Sequence, residues 1–324
     1  MKKTFLITSI ILAFFCLSCD DELLDPNITI DQPASNNGNG NGNGNGNGNG
    51  NGNGNGNGNG NGNNGTALSV YSLDTTTNVP FFGEIIVNTD FIINNGIVVS
   101  ANVETTALGA TDTAVSTITR DGNGRVVQSE AMNGGSVTNR TTVTYTGDNI
   151  TQIAFEDFGD PTENYTYTFA YSGNTVTRTN AAANESAVYT FDANSRLISM
   201  ESFSGTASTQ LEVLTYTNGN CVSSTITGDS NLSNTFVYDS FTNPLQPVFN
   251  DQFLVTLFDN DNNDEVGTYL ATFFSTNNWI SLQSTDGTID LNPMYNTNND
   301  ITSRNGVIDL GDGGLVTQSE AFQY

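Results

Sequence analysis

The stretch Tyr165-Thr166-Tyr167-Thr168-Phe169-Ala170-Tyr171 decides the fold that we expect for this chain. Aromatic residues occupy every second position, and threonine or alanine fills the positions between them. Successive side chains of a β-strand point to opposite faces of a sheet, so this alternation places all four aromatic rings on one face. The pattern predicts a strand that is buried on its aromatic face and exposed on its threonine face.

The same pattern recurs at intervals that fit one hairpin per repeat. Further strands that close on an aromatic residue are predicted at Thr141 to Tyr145, Ala187 to Phe191, Leu211 to Tyr216 and Thr235 to Tyr238, each followed by a turn rich in Asn, Gly, Asp or Ser. The closing aromatic residues lie 26, 20, 25 and 22 residues apart, and a period of this size indicates stacked supersecondary units. We therefore expect an all-β fold, an antiparallel meander of repeated β-hairpins from about 115 to 250 that is strongly twisted or curled into a barrel-like sheet.

Two stretches of this region resemble a known repeat. Phe191-Asp192-Ala193-Asn194-Ser195-Arg196-Leu197-Ile198 and Arg120-Asp121-Gly122-Asn123-Gly124-Arg125-Val126-Val127 resemble the YD repeat of Rhs-type proteins, in which a short turn separates Tyr-Asp from Gly-Arg and an apolar pair. More closely, the region resembles small surface lipoproteins of the Bacteroidota that carry such hairpins. That resemblance implies a porin-like fold and a position at the outer membrane, and it implies almost nothing about a ligand.

The N-terminus is typical of an export signal that ends at a lipid-bearing cysteine. Lys2 and Lys3 precede an apolar run of about 14 residues, which is too short to cross a bilayer core of about 30 Å as a helix. Ser18 and Cys19 follow this run and resemble a bacterial lipobox, so residues 1–18 are interpreted as a lipoprotein signal peptide and Cys19 as the palmitate-bearing residue. The alternative is an ordinary cleaved signal peptide followed by a chance cysteine.

Two segments separate Cys19 from the predicted β-repeat domain at 66–324. Residues 19–35 begin with Asp20-Asp21-Glu22, and by resemblance to Bacteroidota lipoproteins such acids indicate export to the outer face of the outer membrane. Residues 36–65 are an almost pure Asn-Gly alternation without apolar side chains to bury, which indicates a low-complexity linker. We expect a domain held to the membrane by its lipid and displayed at the cell exterior.

Charge and residue types exclude several classes of function. Without the two signal-peptide lysines, the chain keeps six arginines, no lysine and no histidine against 34 acidic residues, a formal charge of −28. A nucleic-acid ligand is excluded because phosphate contacts need basic side chains. Ser-His-Asp triads, histidine metal sites and Schiff-base lysines are excluded by composition, and no carboxylate pair has a recognisable catalytic setting. We expect no enzymatic activity and no cofactor other than calcium.

The candidate calcium ligands lie in one acidic stretch of the C-terminal third. Asp259, Asp261 and Asp264 lie within seven residues, and carboxylate oxygens are the ligands that calcium prefers. The stretch is not an EF-hand, because aspartate replaces the glycine expected at the sixth position. The flanking runs Gln252 to Phe258 and Gly267 to Phe274 are predicted strands, so the alternative is a plain acidic hairpin loop between them.

Four single residues complete the set of candidates. Thr75 and Thr113 each follow an aspartate and precede a Thr or Ala, a context that Bacteroidota, by the same resemblance, O-glycosylate. Trp279 is the only tryptophan and is predicted to be a buried strand residue, with a sugar-stacking platform as the alternative. Cys221 is predicted to be a small buried strand residue.

Two hypotheses for the whole protein remain open at this point. In the first, it is a cell-surface-anchored, non-catalytic binding module for a glycan, a protein or an ion. In the second, it is a structural envelope lipoprotein with no specific small ligand. An exposed aromatic cluster would favour the first hypothesis, and a surface covered uniformly by Thr and Asn would favour the second.

Overall fold

Nineteen antiparallel strands, most of them joined to the next by a hairpin turn, form the sheet within the part of the chain that the structure describes. The structure is a computed structural model that describes residues 67–79, 83–261, 264–285, 287–311 and 314–324. The first ten strands are β1 Val70–Val79, β2 Gly83–Asn94, β3 Ile97–Ala107, β4 Ala110–Arg120, β5 Val126–Asn133, β6 Ser136–Thr146, β7 Asn149–Asp157, β8 Tyr165–Ser172, β9 Thr175–Asn180 and β10 Glu185–Phe191. The other nine are β11 Leu197–Ser204, β12 Ala207–Thr217, β13 Asn220–Gly228, β14 Leu232–Thr242, β15 Asn277–Ser284, β16 Gly287–Asp290, β17 Met294–Tyr295, β18 Ile301–Gly311 and β19 Gly314–Gln323.

Each strand from β1 to β15 pairs antiparallel with the next, and β19 returns to pair with β1. The ladder therefore runs from β17 through β18, β19 and β1 round to β16. The sheet is not closed, because no ladder among the described residues joins β16 to β17 or β18. A single backbone hydrogen bond, from the Asn292 N–H to the Asn305 carbonyl oxygen at 2.9 Å, crosses this seam. The predicted all-β meander that curls on itself is confirmed.

Strand β8 shows how the aromatic alternation works. Tyr167 and Phe169 are buried and Thr166 and Thr168 are exposed, so the predicted two-sided strand is confirmed. Tyr171, at the end of the strand, is 38% exposed. The aromatic face therefore becomes core only where other side chains pack against it.

One long apolar-rich run of the sequence forms a hairpin and not a single strand. The run from Asp90 to Val103 contains a turn at Asn95 and Gly96, where β2 ends and β3 begins. Both turn residues have positive φ angles, 53° and 79°. Asn-Gly is the residue pair that adopts this conformation most readily in two-residue hairpins. In this stretch, the Asn-Gly pair is therefore a better predictor of the structure than the apolar run, because it marks the hairpin turn.

A larger correction concerns residues 243–276, which form a helical insert between β14 and β15 rather than two strands and a hairpin loop. The insert contains α1 Leu245–Phe249, a 3₁₀ turn Asn250–Gln252, α2 Phe253–Asp259, α3 Gly267–Tyr269 and a π-helical turn Leu270–Phe274. Nearly every described apolar side chain in it is buried. The sequence of a short apolar run that is buried on all sides does not show whether the run is a helix or a strand. Here the run is helical, because the sheet surrounds it and buries every face of the helix.

The insert packs against inner faces far apart in the sheet. Phe249 contacts Tyr71 and Phe91 of β1 and β2, with ring centroids 6.2 and 5.3 Å away. Phe258 lies 4.9 Å from both Phe169 of β8 and Tyr189 of β10. The insert thus fills the interior that the curled sheet would otherwise leave empty.

Buried polar groups tie the insert to the sheet. The Glu212 carboxylate of β12 is fully buried and accepts hydrogen bonds from the Ser224 hydroxyl at 2.5 Å and from the N–H groups of Val266 and Gly267 at 2.8 and 2.9 Å. Arg120 of β4 binds Asp251, with Nε 2.8 Å from Oδ2. These contacts satisfy groups that burial would otherwise leave without partners.

A second buried network joins the two chain ends of the sheet. Arg304 of β18 and Glu320 of β19 are both inaccessible to solvent and form a bidentate pair with two distances of 2.7 Å. The Tyr71 hydroxyl and the Gln318 amide donate to the same carboxylate at 2.6 and 2.7 Å. A buried ion pair is tolerated when its remaining hydrogen-bonding positions are also filled, as they are here.

The hairpin repeat has a recurring turn. At Asp121–Arg125, Asp121 Oδ1 accepts from the Arg125 N–H at 3.0 Å, and Arg125 Nε donates to Oδ2 at 2.9 Å. Asp192 and Arg196 repeat both contacts at 3.0 and 2.8 Å. Each guanidinium also lies over the closing aromatic of the next hairpin, Tyr145 at 4.5 Å and Tyr216 at 4.9 Å. The two stretches singled out in the sequence therefore fold alike.

None of the helices in the described residues combines the length and apolarity needed to cross a membrane.

Candidate functional site

The hairpin topology gives the sheet two ends. The chain enters β1 at one end, where the Ser69 N–H donates to the Gln323 carbonyl oxygen at 2.7 Å, and we call this the entry end. Because turns alternate between ends along an antiparallel meander, both recurring Asp–Arg turns lie at the entry end. The opposite end, here the far end, carries the β3–β4 and β5–β6 turns and the β7–β8 loop.

A cleft of about 420 Å³ opens at the far end, between β4 and the β7–β8 loop. Its volume lies in the range of small-ligand sites, about 300–1,000 Å³. The lining residues are Asp112, Asn133, Val137, Thr138, Asn139, Asp157, Phe158 and Gly159. The cleft is therefore polar and acidic, with one aromatic ring at its rim.

Asp112 forms one wall and is held in place by its neighbour. Both of its carboxylate oxygens accept from the Asn133 amide, at 2.8 and 2.9 Å. Asp112 is two and four residues from the buried Ala114 and Ser116, so strand alternation places it on the inner face of β4. It stands where that inner face opens to solvent.

Asp157 and the loop after it form the opposite wall. Asp157 Oδ1 accepts from the N–H groups of Gly159 and Asp160 at 2.6 and 2.8 Å, and the Asp157 N–H donates to Asn164 Oδ1 at 2.7 Å. Hydrogen bonds from the Thr162 hydroxyl and N–H lower the pKa of Asp160. The Asp157 and Asp160 side chains therefore brace the loop through hydrogen bonds to its backbone N–H groups.

Phe158 supplies the aromatic ring at the rim. The residue is 49% exposed although its N–H donates to the Thr138 carbonyl oxygen at 2.9 Å, which fixes the backbone beneath it. The Arg140 guanidinium lies 5.2 Å from the ring centroid. Arg140 also binds Glu130 at 2.8 Å and lies 3.7 Å from Glu156, so its charge is already matched.

Beneath the cleft, buried polar side chains lie among small and apolar ones such as Ala114, Ala131 and Phe155. Asn139 lines the cleft, is only 8% exposed, and its Oδ1 is buried without a hydrogen-bond partner. Ser116 and Ser129 lie buried on the neighbouring strands β4 and β5, and the Ser129 hydroxyl is likewise without a partner. An unsatisfied buried polar atom costs about 1–3 kcal/mol and calls for a functional explanation.

The acidic stretch predicted to bind calcium lies elsewhere, at the end of α2. Asp259 is buried and accepts from the Tyr165 hydroxyl at 3.0 Å. The charges of Asp259 and Asp261 help to raise the pKa of the buried Arg178, which donates to the carbonyl oxygens of Phe258 and Asn260. Among the described residues, no group of three or more Asp, Glu, His or Cys side chains is placed to hold a metal ion. Calcium binding through Asp264 and its neighbours stays a prediction.

The two glycosylation candidates differ in access. Thr75 in β1 is 3% exposed, so a transferase could reach it only before the domain folds. Thr113 in β4 is exposed, and its N–H donates to Asp112 at 2.9 Å. Modification of either residue stays a prediction, with Thr113 the accessible one.

Two other expectations are confirmed, and one falls outside the described residues. Trp279 is 2% exposed in β15 and lies 6.1 Å from Phe236, so it is a core residue rather than a platform for a sugar. Cys221 is a buried free cysteine in β13. Cys19, the acidic segment and the Asn-Gly linker precede residue 67, where the described part of the chain begins.

The cleft residues were not predicted as a site, although a signal was present. The loop Asp157-Phe158-Gly159-Asp160-Pro161 places one aromatic residue among turn-forming residues, and an aromatic residue is not needed to form a turn. Asp112 was noticed only as the neighbour of Thr113. These residues come together because β4 pairs with β5, β5 with β6 and β6 with β7, which is a consequence of the fold.

No protein-family model matches the chain, and no curated protein matches it either. Among solved structures, it is similar to a porin-like protein from Bacteroides uniformis, at 11% identity and a TM-score of 0.45 over 79% of this chain and 96% of that one. A porin-like protein from Bacteroides vulgatus matches at 10% identity and a TM-score of 0.28, over 80% of this chain and 99% of that one. A TcdB2-TccC3-TEV structure matches at 12% identity and a TM-score of 0.28, over 69% of this chain and 11% of that one.

Proposed function

We propose that this protein is a lipid-anchored, cell-surface binding module whose far-end cleft takes a small polyhydroxylated ligand, a unit of an extracellular glycan. The observation that carries the proposal is the position of the cleft. It opens at the end of the sheet opposite the point where the chain enters from its N-terminal segments. A domain tethered through residue 67 would present this cleft away from its anchor.

The lining of the cleft supports a sugar over other ligands. Carboxylates and amides from Asp112, Asp157 and Asn139 offer fixed hydrogen-bonding groups for hydroxyls, and the Phe158 ring offers an apolar face. No lysine or arginine is among the lining residues, and Arg140, which contacts the Phe158 ring, is already paired with Glu130 and Glu156. The Asp112 and Asp157 carboxylates therefore disfavour a phosphorylated, sulfated or carboxylated ligand. A neutral or cationic ligand remains.

The anchor and the location rest on the sequence. Ser18-Cys19 after a short apolar run supports lipidation, and Asp20-Asp21-Glu22 supports surface display. The Asn-Gly composition of residues 36–65, which offers no apolar side chains to bury, supports a linker between the anchor and the domain. We propose that it carries the domain clear of the membrane surface.

The proposal is tested by binding of fluorescent oligosaccharides from a neutral and amine-bearing panel to intact cells that produce the protein. Phe158→Ala should weaken binding about tenfold, because a stacking aromatic ring contributes on the order of 1.4 kcal/mol. The matched control is Tyr171→Ala, which removes a 38% exposed ring at the entry end and should bind like the wild type. Cys19→Ala should remove binding from cells without changing the affinity of the purified protein.

Two outcomes would contradict the proposal. If no member of the panel binds either cells or purified protein, the alternative of a structural envelope lipoprotein stands. If Phe158→Ala and Tyr171→Ala weaken binding equally, the ligand does not use the far-end cleft.

A further inference from the structure

We propose that the sugar unit held in the far-end cleft carries a primary ammonium group, so that an amino sugar with a free amine is the favoured ligand. This inference rests on the proposed function, because it concerns the same cleft. It adds the chemical class of the ligand.

The cleft has more acceptors than donors. Asp112 and Asp157 each carry an ionisable carboxylate, and an ionised carboxylate has about four acceptor positions. The structure fills three positions on Asp112, two with the Asn133 amide and one with the Thr113 N–H, and two positions on Asp157 with backbone N–H groups. Acceptor positions therefore remain on both walls, while the Asn133 amide hydrogens are already directed at Asp112.

Asn139 points to a missing donor independently of these acids. Its side chain is more than nine-tenths buried, it lines the cleft, and its Oδ1 meets no hydrogen-bond donor among the described residues. The final torsion of an asparagine is broad and roughly two-fold, so the amide can turn to present its oxygen to the cleft. A ligand that donates a hydrogen bond here would remove the cost of an unpaired buried acceptor.

Charge selects an ammonium over a hydroxyl. An ammonium group has three donors and no acceptor, which matches a site of surplus acceptors, and its charge is opposite to that of both walls. The half-exposed Phe158 ring, which Arg140 already contacts at 5.2 Å from its centroid, adds an apolar surface for the sugar ring beside the ammonium group. An N-acetylated sugar has one N–H donor in the same place, adds a carbonyl acceptor, and carries no charge.

The test compares two oligosaccharides that differ only in this group, a glucosamine oligomer with free amines and its fully N-acetylated counterpart of equal length. Calorimetry uses the full mature chain with Cys19→Ser, at a pH where the amines are protonated. The free-amine oligomer should bind at least about tenfold more tightly, since a hydrogen bond to a charged group contributes about 1.5–3 kcal/mol. Asp112→Asn and Asp157→Asn should each remove most of that preference.

The negative charge of the whole chain would attract any cation, so the controls separate this effect from the cleft. Asp148→Asn makes the same charge change at an exposed acid of the entry end and should leave the preference intact. Trilysine, a cation without a sugar ring, should bind weakly and without dependence on Asp112. Trilysine binding equal to that of the free-amine oligomer, or equal loss in Asp148→Asn and Asp112→Asn, would overturn the inference.

The remaining outcomes distinguish this inference from the proposed function. If both oligomers bind equally and Phe158→Ala weakens both, the cleft binds glycans without regard to the amine, and only the inference fails. If neither oligomer binds and no other sugar of the wider panel does, the proposed function fails with it.

Discussion

The insert-packed side of the sheet and the cleft sector of β4–β7 are built from the same hairpins but have different interiors. On the first side, Phe258 lies between Phe169 and Tyr189 and fills the space with the chain's own aromatic rings. In the cleft sector, the inner face near the far end carries mainly small side chains, Ala114, Ser116, Ser129 and Ala131, beside the Phe155 ring, and the cleft opens at that end. One scaffold thus supplies both a self-filled core and a space that an external ligand can occupy.

The difference lies in the side chains of the inner face, not in the backbone. The turn at Asp121–Arg125 belongs to the cleft sector and the turn at Asp192–Arg196 to the insert-packed side, yet their hydrogen bonds agree within about 0.1 Å. A hairpin repeat therefore sets the register and the end-to-end geometry. A binding site can then arise when polar residues replace apolar ones on the inner face of one sector.

The largest expected contrast comes from one substitution made in both regions. Phe258→Ala should lower the free energy of unfolding by about 3–5 kcal/mol, because it leaves a cavity between two packed rings. Phe158→Ala should change it by no more than about 0.5 kcal/mol, since that ring is half exposed. Urea unfolding of both variants, monitored by Trp279 fluorescence, measures the contrast.

Equal destabilisation by the two substitutions would contradict this division of the interior. A Phe258→Leu variant serves as the control, because it keeps most of the apolar volume and should recover part of the loss. If Phe258→Leu is as unstable as Phe258→Ala, the effect comes from something other than the cavity.

A smaller effect, with a pH signature, is expected at Glu212, which joins the insert to the sheet. Burial raises the pKa of this carboxyl above its ordinary value, although the three hydrogen bonds that the carboxylate accepts each lower the pKa. A raised pKa in the folded state means that folding favours the protonated acid. The stability gained from that protonation is present at low pH and is lost as pH rises through the folded-state pKa.

Glu212→Gln should therefore lower the free energy of unfolding by about 1–3 kcal/mol at neutral pH, because the amide leaves one backbone donor without an acceptor. The deficit relative to the wild type should grow as the pH falls toward about 4, where the unfolded carboxyl titrates. Urea unfolding of both proteins across that range gives the difference, in which the other carboxyls cancel. A deficit that shrinks on acidification would show that the folded state favours the ionised form.

The sequence predicted the scaffold because its signals are local. Period-two alternation in Tyr165–Tyr171 and the turn residues after each strand depend only on neighbouring residues, and β8 and its partners follow them. The insert was predicted wrongly for the opposite reason. Leu254, Val255 and Leu257 are apolar without a polar face, and whether such a run is helix or strand depends on the sheet that encloses it.

The candidate site was not predictable from the same signals. Asp112 and Asp157 are 45 positions apart in the sequence and come together only because β4 to β7 pair in order. Asn139 looks like one of many asparagines until its burial is known.

The smallest effect is expected to be equal in the two regions, which sharpens the claim that they share a scaffold. Burial alone would raise the pKa of Asp121 and of Asp192, but the hydrogen bonds from Arg125 and Arg196 and from the turn backbone lower each one below its ordinary value. The stability that these carboxylates add is therefore present above the unfolded-state pKa and is lost as the pH falls through the folded-state pKa. Asp121→Ala and Asp192→Ala should each lower the free energy of unfolding at neutral pH by about 1 kcal/mol, comparable with the loss of a helix cap.

The agreement between these two variants is the measurement that matters. If the turns are equivalent, the two losses should match within about 0.5 kcal/mol and should both decline on acidification. Asp148→Ala is the control, because Asp148 lies 3.8 Å from Arg125 but is 62% exposed, and a surface pair of that kind contributes little. A loss at Asp192 several times that at Asp121 would mean that the insert stabilises its own side's turns. The two regions would then differ in their scaffold as well as in their interior.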